Sequence, residues 1–273
     1  LPYSCKQRSL CPSCDARRRA EWADHVVENV LPDLPYRMNV YAIPKHLRGG
    51  FLREHALLGD LSGEAYRVTA RFLAAHFPGV DGVPYFVSAV HTFGSSGANP
   101  HPHIHALCSL GIKDRHGTFH RAPADLDFAP LEELFRHAVL AMLVRKRRLT
   151  EETARKFASW EHSGFSVDSS VAAAEGDRDT LHRLSCYLLK PPISLERMAY
   201  ERGDAKVVYR GKPHPARGRD IEVYDPLEFL VRVLLHIPTC ASYYTSCGTL
   251  APDTDSEPDI SRPLLRSSGL GGS

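Results

Sequence analysis

Hydrophobic positions along the chain follow two periods, and each segment declares which. Period-two runs predict strands over Arg37–Ile43, Tyr85–Phe93 and His103–Leu110, the last two joined by a Gly/Ser/Asn/Pro loop that reads as a hairpin connection centred near Gly97. Helical spacing of leucine and alanine predicts helices over Leu61–Phe77, Leu131–Arg147, Glu151–His162 and Leu227–His236. Another helix-like stretch, Arg17–Val30, is terminated by Leu-Pro-Asp-Leu-Pro. Phe119 begins a further strand, Phe165–Ala172 reads as a strand, and Lys206–Tyr209 is expected to pair with Glu222–Tyr224. The mixture is α+β, with an antiparallel sheet and helices gathered on one side of it. No repeat or coiled-coil heptad interrupts this order.

One helix is of special interest. Between Asp177 and Lys190, acidic residues open the segment, leucines recur at 181, 184 and 188, and Pro191-Pro192 closes it. At 100° per residue the leucines form one stripe, Tyr187 lies on its border, and Arg183 and Lys190 fall on the polar side beyond. A phenol so placed is held by the core while its oxygen faces a basic strip. The second chemical signal is His103-Ile104-His105, within Asn99-Pro-His-Pro-His-Ile-His-Ala-Leu107. In a strand the two imidazoles leave one face with their Cα atoms roughly 7 Å apart, and Ile104 points into the opposite face. Two neutral imidazoles can then converge on one metal ion. A histidine-rich loop and an ordinary half-buried tyrosine are the bland readings of each feature alone.

Composition bounds what this chemistry can serve. At 273 residues, 43 % hydrophobic and 24 % charged, the chain buries one sizeable core with an accessory module, and it has no apolar run of the roughly 20 residues that span a bilayer. It reads as soluble. The net charge is only +2, so attraction to nucleic acid has to come from local patches: Arg17-Arg18-Arg19, Arg145-Lys146-Arg147-Arg148, and Lys206 through Arg219. Seven cysteines, an odd number, argue against a disulfide framework, and no signal peptide opens the chain, which places it in the cytoplasm. Cys11-Pro-Ser-Cys14 has the spacing of a zinc half-site, with Cys5 nearby.

These pieces occur together in an order that resembles a known family. Ser4-Cys-Lys-Gln-Arg-Ser-Leu-Cys-Pro-Ser-Cys-Asp-Ala-Arg-Arg18, His103-Ile-His105, Tyr187-Leu-Leu-Lys-Pro-Pro-Ile-Ser-Leu-Glu-Arg197, Tyr224-Asp-Pro-Leu-Glu-Phe229 and Leu250-Ala-Pro252 closely resemble the rolling-circle insertion-sequence transposases of family ninety-one and their common-region relatives. The similarity runs to about residue 252. These proteins belong to the HUH endonucleases, so the resemblance implies an HUH palm at 36–252, a partial zinc-binding module and helix at 1–35, and a tail from 253 to 273 that its Asp, Ser, Gly and Pro content marks as disordered. It also implies a prokaryotic, nucleoid-associated setting.

The resemblance further implies chemistry. Tyr187 would attack a phosphodiester of single-stranded DNA, leaving a covalent 5′-phosphotyrosine and a free 3′-hydroxyl, with a metal held by His103 and His105. Many relatives carry two tyrosines four residues apart; Tyr187 matches the second and Arg183 occupies the first, so a single-tyrosine site is expected, with Tyr200 beyond the Pro-Pro break. Ligand type alone favours zinc or manganese, whereas the resemblance implies magnesium or manganese. The family's third donor comes from the neighbouring strand, and hairpin register puts His91 opposite His103 on the same face. His101 and His182 are lesser competitors. Cys11 and Cys14, with Cys5 less firmly, are the expected zinc ligands; relatives carry another Cys-x2-Cys upstream, so the chain is expected to be N-terminally truncated. Arg183 and Lys190 are expected at the cleaved phosphate, and Arg17, Arg18, Arg145, Lys146, Arg147 and Arg148 on flanking DNA.

Rival readings remain at this point. The histidines could serve an HUH replication initiator or relaxase-like nickase, or a metal-dependent hydrolase, although Asp81, Asp114 and Asp125 sit in turn-like contexts unsuited to the last. The cysteines and basic patches could instead belong to a non-catalytic zinc-dependent DNA-binding protein.

Overall fold

The computed structural model describes residues 12–94, 100–191, 193–211, 221–234 and 244–247. In chain order the elements are α1 (Pro12–His25), which continues as a π-turn over Val26–Val30, β1 (Tyr36–Ala42), α2 (Lys45–Arg53), α3 (Ala56–Ala74), β2 (Gly82–Val83), β3 (Phe86–Phe93), β4 (Pro100–Ser109), β5 (Gly111–Asp114) and β6 (Phe119–Arg121). Then follow α4 (Ala129–Arg145), α5 (Glu151–Ala158), β7 (Ser166–Ala173), α6 (Arg178–Leu188), β8 (Met198–Glu201), β9 (Lys206–Arg210), β10 (Ile221–Tyr224), α7 (Pro226–Leu234) and β11 (Tyr244–Cys247). No described helix is long and apolar enough to cross a membrane.

The central sheet has the order β11-β3-β4-β1-β7 and every neighbouring pair is antiparallel. Burial on both faces of β4, from Pro102 to Ser109, makes it the spine of the molecule. Alternation sorts its residues: Ile104, Ala106 and Cys108 join Tyr41, Phe86 and the apolar sides of α2 to α5 in one core, and Leu107 joins Tyr36, Met38, Val87 and Ala89 against Leu181 and Leu188 of α6 in a second. Helices therefore cover both faces, not one as the sequence suggests. The physical reason is that α1 and α6 carry their own apolar stripe, which has to be buried, and the first face is already filled by the other four helices.

Two smaller sheets complete the described residues. β2-β5-β6 extends the core beyond Ser109, and β10-β9-β8 carries α7, whose Phe229 and Val233 pack with Val207, Tyr209 and Tyr224. The expected pairing of 206–209 with 222–224 is observed as β9 with β10. Helix α2, which the sequence pattern does not announce, forms through Gly49-Gly50 because Leu47 and Phe51, four apart, are both buried in the first core and outweigh the weak helix propensity of glycine. Residues 253–273, expected to be a disordered tail, lie outside the described residues.

Candidate metal and nucleophile site

Register builds the site. His91 on β3 lies directly opposite His103 on β4, Ala89 opposite His105, and β1 places Ala42 and Val40 across from the same two histidines. Cross-strand partners share a face, so three imidazoles stand on the second face of the sheet, with small alanines beside them leaving room above the backbone. The pairing of 91 with 103 is the one that the sequence predicts. Ring centroids lie 4.4 Å apart for His91–His105, 4.8 Å for His103–His105 and 5.2 Å for His91–His103. Each residue offers a nitrogen, and the three nitrogens lie within 4.8 Å of one another. It is the one such cluster of potential metal ligands among the described residues.

Two backbone carbonyls fix the tautomers. A carbonyl can only accept, so Nδ1–H of His103 donates to His101 O at 2.6 Å and Nε2–H of His91 donates to Leu188 O at 2.8 Å. That leaves lone pairs on His103 Nε2 and His91 Nδ1, the arrangement in which a metal-ligating histidine gives its second N–H to a carbonyl. Nε2 of His103 and Nε2 of His105 are 2.9 Å apart, close to the spacing of neighbouring ligands around a metal with bonds of about 2.1 Å. Nδ1 of His105 is buried with no partner. These nitrogens need a shared proton or a cation between them, and the donor set fits a cation.

Burial keeps the rings neutral. It lowers His91 from 6.5 to about 3, with His103 reinforcing the shift, and lowers His103 to about 4, with Arg48 and Lys190 adding to the effect. His105 moves in the same direction for the same first cause, helped by its two neighbours. His101 falls to about 4 by burial and by His103. Neutral imidazole is the ligating form, so at neutral pH the site is ready to bind.

Tyr187 reaches this cluster from α6. Asp177 caps the helix by accepting the Thr180 N–H at 2.9 Å, and Leu181, Ser185 and Leu188 face the sheet. Tyr187 precedes Leu188, so its ring sits at the edge of the buried stripe, 41 % exposed and 5.2 Å from the His105 ring in an edge-on contact. The end of the helix is set by sequence. Pro191 and Pro192 have no N–H to offer the last carbonyls, the Leu189 and Lys190 amides turn back to Cys186 and Tyr187, and the Leu188 carbonyl is left to accept from His91.

The basic residues divide. Lys190 lies just past α6, not on its face as the periodicity suggests, because the tightened last turn ends the helix at Leu188; its Nζ is 5.4 Å from the Tyr187 ring centroid. Arg183, one turn before Tyr187, donates to Thr180 at 2.6 Å and is directed toward the start of the helix. Arg145, Lys146 and Arg148 lie beyond the other face of the sheet and pair with Glu64, Asp60 and Glu54 at 3.1, 2.7 and 2.6 Å; Arg147 shares their turn in a left-handed conformation, φ 58°. Arg17 pairs with Glu21 within α1, and Arg18 lies on the same helix, which packs against α6. His182 is not in the cluster and bonds Asp24 of α1 at 3.0 Å. Tyr200, on β8, is likewise apart from it and exposed. Cys5 and Cys11 lie outside the described residues, and Cys14 falls in the first turn of α1.

Sequence reasoning missed Arg48. It sits on α2, which contacts β4, and its Nε donates to Ile43 O at 3.2 Å, one residue beyond Ala42, the cross-strand partner of His103. Its half-buried guanidinium helps to hold His101 and His103 neutral. No sequence motif marks it; only the unannounced helix brings it there.

Comparison with known proteins gives the setting of this geometry. Residues 86–251, more than half of the chain, match a family model described as "Putative transposase", and residues 1–43 match one described as "Transposase zinc-binding domain". The chain is also similar to the transposase for insertion sequence element IS801 of Pseudomonas savastanoi pv. phaseolicola, 29 % identical over 248 residues that make up 84 % of this chain and 57 % of that protein. It thus spans little more than half the length of that curated relative. No solved structure matches it.

Proposed function

The chain belongs to the transposase family that its residues 86–251 match, and from that premise we propose that it nicks and rejoins single-stranded DNA through Tyr187. The observation that carries the reading is the Tyr187 ring set 5.2 Å from His105, at the edge of three buried, neutral imidazoles. An antiparallel sheet with the histidine pair on its central strand and a tyrosine helix laid over that face supports an HUH palm at 36–252. A zinc-binding module at 1–35, with Cys11, Cys14 and Cys5 as ligands, is supported by the domain match at 1–43.

His91, His103 and His105 would hold a divalent metal, and three imidazole donors favour manganese over magnesium and zinc over both. Such a metal supplies polarisation of the scissile phosphate and stabilisation of its developing charge. The remaining work falls to the chain's own residues. The Tyr187 oxygen loses its proton to solvent, which its exposure allows, and attacks phosphorus. The bond from phosphorus to the 3′ oxygen breaks, that oxygen takes up a proton, and a 5′-phosphotyrosine remains. Lys190 beside the phenol, and Arg48, whose charge is felt at His101 and His103, add positive potential at the site that would favour a bound phosphate. The reverse attack by a 3′-hydroxyl rejoins strands without an external energy source. Unpaired DNA fits better than duplex, because a paired strand cannot easily bend its phosphate down to the buried imidazoles beside Tyr187, and only unpaired bases are free to stack on aromatic side chains.

A gel for covalent protein–DNA adducts tests this. A single-stranded oligonucleotide carrying element-end sequence, incubated with manganese, should yield a 5′-linked adduct with the parent protein and none with Tyr187→Phe, which keeps the ring and removes the attacking atom. An adduct formed by Tyr187→Phe would overturn the assignment.

A further inference from the structure

A cavity of about 130 Å³ adjoins the nucleophile, between the end of β3, the turn after α6 and β9. Its walls include Phe93, Lys190, Ser194, Glu196, Arg197 and Tyr209. An engineered apolar cavity of about 150 Å³ holds one benzene ring, so this space suits a single planar ring system and not a longer segment. Two aromatic side chains supply apolar surface, and a hydroxyl, a carboxylate and a guanidinium supply acceptors and donors at its rim. That combination, apolar surface beside both hydrogen-bonding senses, is what a nucleobase requires.

Its position is as informative as its lining. Lys190 belongs to both places: its Nζ stands over the Tyr187 ring and its side chain borders the cavity. Phe93 also joins them, because its ring stacks on His91 with centroids 5.1 Å apart and planes 19° from parallel. The far wall is anchored, since Tyr209 is buried and its hydroxyl accepts the Ser194 N–H at 3.3 Å. We propose that this pocket receives one unstacked nucleobase of the nucleotide adjoining the phosphate that Tyr187 attacks. The proposal rests on the strand-cutting reading of Tyr187. It gives that site its sequence preference: a base held beside Lys190 fixes which phosphate lies over the phenol, and Glu196 and Arg197 read the base edge.

Photo-crosslinking tests it with the whole chain. Single-stranded oligonucleotides in which 5-iododeoxyuridine replaces each thymidine in turn are irradiated with the Tyr187→Phe protein, and linked peptides are mapped by mass spectrometry. One substituted position should link to the peptide holding Phe93 or Tyr209, and Arg197→Ala should weaken binding of that oligonucleotide on the order of tenfold while leaving a homopolymer of another base nearly unaffected. Crosslinks confined to other segments, with the parent protein still forming its covalent adduct, would overturn the pocket and leave the Tyr187 chemistry standing. Crosslinks in the pocket without any adduct from the parent would support base binding and remove the nuclease reading.

Discussion

The imidazole of His91 is hydrogen-bonded to the carbonyl of Leu188, the residue after the candidate nucleophile, at 2.8 Å. One side chain thereby ties the end of α6 to β3 through Nε2 and keeps a lone pair on Nδ1, within the candidate histidine cluster. Position of the phenol and orientation of the ligand are the same constraint. His91→Ala should therefore do two things: lower manganese affinity by about 10- to 100-fold and slow adduct formation even at saturating metal. His91→Gln, which can donate one N–H and offer one oxygen but not span the same two directions, should restore part of the affinity. Calorimetric manganese titration beside single-turnover cleavage checks both, and an affinity equal to the parent's would remove His91 from the site.

The depressed histidines make the metal-free protein sensitive to acid. Above about pH 7.5 the imidazoles are neutral in folded and unfolded chains alike and add no pH dependence. From about pH 7.5 down to about 4 the unfolded chain takes up protons that His103 and His91 refuse, so stability falls as pH is lowered, by about 3 kcal/mol for His103 alone at the full extent of its shift. Thermal melts of the metal-free parent from pH 7 to 4.5 should fall more steeply than those of His103→Gln. Parallel curves for the two proteins would show that these shifts are absent.

Charge near the phosphate should separate from charge elsewhere. Arg48→Ala and Lys190→Ala are each expected to slow cleavage on the order of 100-fold and to flatten its salt dependence by about one unit of slope. Arg148→Ala, whose parent side chain is held by Glu54 beyond the opposite face of the sheet, should leave the cleavage rate unchanged. Cleavage rates measured across a salt series decide, and an Arg148 variant as slow as the Lys190 variant would mean that DNA wraps to the other face.

Much of this arrangement is legible in the residues. The alternation around Ile104 and the leucine spacing of α6 are local periodic signals, and they place His103, His105 and Tyr187; a hairpin about Gly97 then fixes His91 opposite His103 without further information. What resists reading is non-local. Arg48 arrives on a helix whose Gly49-Gly50 pair speaks against it and whose formation depends on Leu47 and Phe51 reaching a core made by α3 and β4. Carboxylates occupy Arg145, Lys146 and Arg148 from α3 and the end of α2, residues more than 80 positions away. The bond from His91 to Leu188 crosses 97 positions, although its cause, two prolines with no N–H after Leu188, is written in the sequence.

Metal preference follows from the donor atoms. Magnesium prefers oxygen ligands in octahedral geometry and keeps several waters, whereas three imidazole nitrogens suit zinc best and manganese better than magnesium, and among the described residues the cluster consists of three histidines with no carboxylate. Manganese should therefore support adduct formation at concentrations at least tenfold below those of magnesium, and zinc should bind most tightly of the three, as the affinity order for nitrogen sites requires. Replacing His91 with aspartate, which adds a hard oxygen donor, should narrow the gap between magnesium and manganese. The check is a titration of each metal into chelator-treated protein, read by adduct formation. Equal half-maximal concentrations of magnesium and manganese for the parent would mean that DNA phosphates and water, and not the imidazoles, dominate the coordination.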